Sequence, residues 1–254
     1  MTEENITPTP AQRQLALPAS VRWANAQGTT LSAPAMPALL DRELYIASVI
    51  RVGNRYPRQR NYHGRYYFSQ TGHHLWHESL LEASVLTWLD MSQDIVAIAS
   101  QPMEIVFADG LKHVPDYMAY HADHRQVVYD VKPPKFLTPK YREQFAKTRA
   151  LCEHVGWGYE VHTGFPTQVG VNLRWFAAFK HPAFFPGPDA TERLLAALTE
   201  PLTLLNAAHA LKLERLPNAR SAIYHLVWVG VLSIDLTQRI DDQTTIERNS
   251  HERA

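Results

Sequence analysis

The 254-residue chain holds a single cysteine, Cys152, which excludes an internal disulfide and a cysteine-ligated metal cluster. No apolar run reaches the length of a membrane span; the longest, residues 226–232, is far too short. The opening MTEENITPTP lacks the basic start and apolar stretch of a signal peptide, so a cytoplasmic protein is expected. Neither sign of charge is in excess, with 25 basic and 25 acidic residues, so nothing global announces a nucleic-acid partner. No glycine-rich phosphate loop and no Ser-His-Asp ordering stands out. What is present is 45% apolar residues, enough for one large core, or for a core domain with a small second one.

Charge is distributed less evenly than its total. Between Leu44 and His77 there is no acidic residue, yet Arg51, Arg55, Arg58, Arg60 and Arg65 all fall there. Residues 131–149 carry Lys132, Lys135, Lys140, Arg142, Lys147 and Arg149 against one acid, Glu143. Such clusters suit phosphate neutralisation, and equally a solvated surface with segregated charge. Nucleic-acid contacts are expected from Arg51, Arg55, Arg58, Arg60, Arg65, Lys135 and Lys140.

Prolines 8, 10, 18, 34 and 37 among small and polar residues mark residues 1–45 as a flexible N-terminal arm. GRYYFSQTG suggests a hairpin turning at or before Ser69–Gly72. The spacing of Leu81, Val85, Trp88 and Leu89, extended by Leu75 and Leu86, predicts a helix over residues 75–90. Strands are predicted near 103–108, 113–121 and 126–132, a helix from Pro139 to His154, and a strand over 159–163. This order implies an α/β core with a mixed sheet over 46–181. A link rich in proline and glycine, HPAFFPGPD, places a domain boundary within 181–190. Beyond it, helices near 191–199, 202–211 and 219–229, then a hairpin from Val231, match a winged helix-turn-helix domain over 190–250. An ordinary helical cap on the core is the alternative.

The segment HVPDYMAYHADHRQVVYDVKPP carries the chemistry. Pro115-Asp116 lies at one strand and Asp130-Val131-Lys132 ends the next, so a short antiparallel connection brings both acids to one edge. Side chains alternate along a strand, which puts Asp130 and Lys132 on one side and turns Val131 into the core. Hard oxygen ligands beside an ammonium suit Mg²⁺ or Mn²⁺, with Lys132 orienting an attacking water and stabilising developing charge. Glu82, read as mid-helix on a partly apolar face, is the fourth member; Glu78, four residues earlier, competes for the role. The catalytic set is therefore Glu82, Asp116, Asp130 and Lys132, and the metal set Glu82, Asp116, Asp130 and Val131. The plainer alternative is a strand-end Asp–Lys ion pair. His73, His74, His77 and Glu78 suggest zinc, but a zincin would need histidine where Leu81 stands.

At these residues the chain resembles the TnsA family, the endonuclease subunits of bacterial heteromeric transposases. The matching elements are YYFSQTGHHLWHESLLEASVLTWLD, Gln101-Pro102, Pro115-Asp116 and the DVKPP of residues 130–134. The resemblance implies catalytic roles for Glu82, Asp116 and Lys132. The position two before the lysine, glutamine in some members, is Asp130 here, closer to the general PD-(D/E)xK nuclease pattern. It covers roughly residues 50–180, and the remainder by architecture only. It implies a restriction-endonuclease-like core with a winged helix, hydrolysis of the 5′ strand at transposon ends beside a DDE transposase, and contact with an AAA+ regulator. A stand-alone nuclease in DNA repair or phage defence would carry the same motif. A DNA-binding regulator with an inactive nuclease-like core is the reading from another class.

Overall fold

A computed structural model describes residues 6–50 and 62–249. The chain forms two compact units, residues 1–86 with 95–164, and residues 87–94 with 165–254.

In the first unit, α1 (Pro10–Ala16) starts on Thr9, whose Oγ1 accepts the Gln12 N–H while the Gln12 side chain accepts the Thr9 N–H. Then follow β1 (Ser20–Ala24), β2 (Thr30–Pro34), β3 (Gly64–Phe68), β4 (His73–His77) and α2 (Leu80–Ser92), which from residue 87 onward belongs to the second unit. Strands β5 (Ile95–Ser100), β6 (Met103–Val106), β7 (Lys112–His113), β8 (Tyr117–His121) and β9 (Gln126–Val131) precede α3 (Pro139–Val155) and β10 (Gly158–His162). One sheet has the order β2-β1-β6-β7 and is antiparallel throughout. The other has the order β10-β9-β8-β5, with β10 parallel to β9 and the other pairs antiparallel, so the expected mixed sheet is present. Helix α3 ends on Gly156 at φ 99°, where a Cβ would stand 3.0 Å from the Leu40 side chain. Left-handed backbone and tight packing together require glycine there.

The proline-rich start is not a free arm. Strand β1 is an inner strand of its sheet, and Val21, Trp23, Leu39 and Leu44 are buried in the same core as Met103, Ile105, Val128 and Leu151. Apolar residues are interspersed there among the prolines; alternation in β1 turns Val21 and Trp23 inward, and that burial offsets the ordering cost of the segment. The β3–β4 hairpin forms with its turn at Ser69–Gly72 as expected. Helix α2 starts later than its apolar spacing suggested, because Leu75 to His77 pair with β3. Strand β5 is an element that the periodicity did not reveal.

The second unit contains α4 (Thr167–Ala177), α5 (Pro188–Ala197), β11 (Leu202–Thr203), α6 (Leu204–Ala210), α7 (Leu216–Trp228), β12 (Leu232–Ile234) and β13 (Thr245–Arg248). Its strands form a small sheet of order β11-β13-β12. Leu194, Leu204, Ile223, Leu226, Trp228 and Ile246 make its core. The division falls at Gly164/Phe165 rather than within 181–190. Val169, Leu173 and Phe176 of α4 belong to the second core, and Asn172 Nδ2 donates to the Leu236 and Gln238 carbonyls at 2.8 Å each. The proline-rich link is thus an internal connection between α4 and α5. Among the described residues no helix is long and apolar enough to cross a membrane.

Candidate active site

The site forms where the chain changes sheets. Strands β5 and β6 lie in different sheets, joined by Gln101-Pro102; β7 and β8 also lie in different sheets, joined by Val114-Pro115-Asp116. The 113–121 stretch is therefore two strands, because Pro115 has no N–H to offer a ladder. The two crossings are tied together: Gln101, at φ 45°, donates its N–H to the Asp116 carbonyl at 2.8 Å, and Asp116 donates its own to the Tyr129 carbonyl at 3.1 Å. Asp116 Oδ2 accepts the Val131 N–H at 2.7 Å. Lys132 continues β9 by one residue, its N–H bonded to the His162 carbonyl at 2.9 Å.

A cavity of about 780 Å³ opens over this crossing, and Glu82, Asp116, Asp130 and Lys132 all line it. Glu78, Lys135, His113, Tyr141 and Gln144 line it too. The Lys132 ammonium sits 3.7 Å from the centroid of the Tyr141 ring, which limits its sweep and lets the ring face share its charge.

Glu82 lies in the first turn of α2 rather than mid-helix. It works as the reciprocal partner of a helix cap: its N–H donates to Ser79 Oγ at 3.2 Å, while its carboxylate accepts the Ser79 hydroxyl at 2.8 Å and the Glu78 N–H at 2.6 Å. These bonds fix the carboxylate at the cavity wall. Burial nevertheless pushes its pKa up, with Glu78 adding to the effect and the bonds and Lys132 opposing it. Burial also holds the Asp116 carboxyl well above the usual carboxylate range, helped by the charges of Glu82 and Asp130. The Val131 amide and Lys132 pull the other way without prevailing.

Asp130 is the most enclosed of the four, at 2% exposure. Its Oδ2 accepts the Tyr159 hydroxyl at 2.5 Å and contacts His113 Nε2 at 2.7 Å; Gln144 in turn contacts His113 Nδ1. Neither Tyr159 nor His113 was singled out in the sequence. Val131 is buried, as alternation required.

The basic residues divide. Lys135 lines the cavity and Lys140 is exposed. Arg65, exposed on β3, does not line this cavity. Lys147 is 1% exposed and pairs with Asp109 and Glu143 at 2.6 and 2.8 Å, while Arg149 donates to the Ile6 and Tyr159 carbonyls. Those two cations are structural, which removes them from the basic cluster. Arg51, Arg55, Arg58 and Arg60 lie outside the described residues.

The donor chemistry suits a divalent cation. Three crowded carboxylates supply hard oxygens, two of them with ionisation disfavoured, and Glu78 Oε1 is buried with no hydrogen-bond partner. A cation would relieve each of these conditions. Among the described residues, however, no three histidine, cysteine, aspartate or glutamate side chains converge into a ready metal-binding group. The carboxylates are instead each held by protein donors: Glu82 by its capping bonds, Asp116 by the Val131 amide and Asp130 by the Tyr159 hydroxyl.

Comparison of the chain with protein-family models and with curated proteins finds no match.

Proposed function

We propose that this protein is a metal-dependent phosphodiesterase of the PD-(D/E)xK class acting on DNA. More specifically, we propose that it is a TnsA-type transposase subunit that hydrolyses the 5′ strand at transposon ends. The observation that carries the reading is the shared cavity of Glu82, Asp116, Asp130 and Lys132, with Asp116 anchored to the strand that ends in Lys132.

In this reading Asp116 and Glu82, with Glu78 beside them, would hold Mg²⁺ or Mn²⁺, which lowers the pKa of a bound water and polarises the phosphoryl oxygens. Asp130 and Val131 complete the proposed metal set, with Asp130 lending negative charge from behind. Lys132, kept at the cavity by Tyr141, faces the scissile phosphate or the attacking water and stabilises charge there. Lys135, at the rim, meets the DNA backbone.

The second unit fits a winged-helix module that engages protein more than DNA. From Thr191 onward it carries eight acidic and seven basic residues. The two polar groups that α7 could offer to phosphate are already used: Arg220 grips Asp242 through two bonds of 3.0 and 2.6 Å, and His225 is buried with Nδ1 2.8 Å from the Phe179 carbonyl. An AAA+ regulator and a DDE transposase are the partners this reading assigns.

One observation favours a DNA-binding regulator with an inactive core, namely the absence of a converged metal-binding group among the described residues. Mapping the cut separates the two. Incubation with Mg²⁺, cognate transposase and its end-labelled DNA should give a nick at the 5′ strand of each end. A 5′ strand left intact whenever this chain is present would reject the proposal.

A further inference from the structure

We infer that the open edge of β5 is a docking groove for an extended, acidic peptide segment of a partner protein. The inference stands on observations independent of the nuclease reading.

A second cavity of about 780 Å³ lies in the first unit and shares no lining residue with the candidate active site. Val96 to Ser100 line it as five consecutive residues. Side chains alternate between faces of a strand, so consecutive lining means that the cavity views β5 edge-on. Among the described residues, strand β5 is the last strand of its sheet, paired with β8 on one side only. Its outer edge is tied at the two ends, where Gln70 accepts the Ile95 N–H and Ile50 donates to the Gln101 carbonyl. Between those ties, among the described residues, the outward amides and carbonyls of 96–100 meet no partner. An unpaired strand edge of this kind is a template for one more strand.

The walls say what that strand carries. Thr71 Oγ1, Trp76 Nε1 and Ser100 Oγ are buried without hydrogen-bond partners, and all three residues line this cavity. Ser100 is 4% exposed, so its hydroxyl has no ready access to bulk water. Buried polar groups are ordinarily satisfied, and three orphans around one cavity point to a ligand that supplies the missing bonds. Among the described residues, Arg65, His73 and His74 line the cavity and no acidic residue does, which selects a ligand bearing carboxylates. Exposed Ile46, Val49 and Val96 offer apolar contact to alternate side chains of an incoming strand. A nucleic acid would leave the strand's carbonyls unpaired, whereas a peptide backbone offers donors and acceptors in register.

The test is a selection of random linear heptapeptides on the full chain, followed by amide hydrogen exchange with the enriched peptides. Expected are sequences alternating apolar residues with Asp or Glu, and at least tenfold slower exchange confined to the edge at 96–100. Arg65→Glu, a change at an exposed residue, should weaken those peptides at least tenfold with an unaltered melting temperature. The inference is overturned if no peptide is enriched or if enriched peptides protect a different segment. It is equally overturned if a DNA duplex, or a second copy of the chain at high concentration, protects 96–100 instead.

Discussion

Asp116 Oδ2 accepts the backbone N–H of Val131 at 2.7 Å, which bolts the acid of one sheet crossing to the residue that precedes Lys132. The bond fixes the distance between the candidate metal ligand and the candidate electrostatic catalyst, at the expense of one carboxylate oxygen.

Asp116→Asn keeps an acceptor for that amide and removes the charge. Because the Asp116 pKa is raised in the folded state, its stabilising contribution is complete below the ordinary carboxylate value of about 4 and is lost as pH rises through the raised value. In metal-free buffer the melting temperature of the wild type should therefore fall relative to the asparagine variant as pH climbs from about 4. Parallel curves would mean that the carboxyl is not strained by burial and by its acidic neighbours.

Tyr159→Phe should lower stability by about 1–3 kcal/mol, because it strips a hydroxyl donor from the enclosed Asp130 carboxylate. Denaturant unfolding measures the loss. A variant as stable as wild type would show that Asp130 does not depend on that hydroxyl.

Much of the site was legible because strand alternation and two short motifs sufficed. QVVYDVK reads as a strand ending in charge, and PD marks its neighbour, so the cavity assembles from local pattern. Alternation gives a side chain's face but not its partners, which is why the grip of Tyr159 and His113 on Asp130 was hidden. Both partners come from other elements, brought in by β10 and by the end of β7. Leu75 fits the helical spacing of α2, but its pairing with Tyr66 in the hairpin wins, so the helix starts later than its pattern. In the sequence Gln101-Pro102 stands out only as a point of resemblance. A proline at each of two breaks, Pro102 and Pro115, was the local signal for a paired sheet crossing.

Trp23 lies in what the composition marks as an arm, yet it is 7% exposed in the core of the first unit. Trp23→Ala should cost roughly 3–5 kcal/mol, the scale for emptying a buried aromatic position. A change of under about 0.5 kcal/mol, the scale of an exposed surface site, would return the segment to the status of an arm.

Arg220→Ala should leave the affinity of the full chain for duplex DNA within about twofold, since its guanidinium is spent on Asp242 rather than offered to phosphate. Fluorescence anisotropy across a salt series is the check. A clear drop in affinity with a shallower salt slope would make α7 a DNA-reading helix.

The central claim is most directly tested by measuring Mn²⁺ binding and strand cleavage together for the wild type, Asp116→Ala and Lys132→Met, with cognate transposase and DNA ends in the cleavage arm. The wild type should bind metal and cut. Asp116→Ala should lose both. Lys132→Met should keep the metal and lose cleavage by on the order of a hundredfold or more. Equal cleavage by all three proteins, or no metal binding by the wild type, would contradict it.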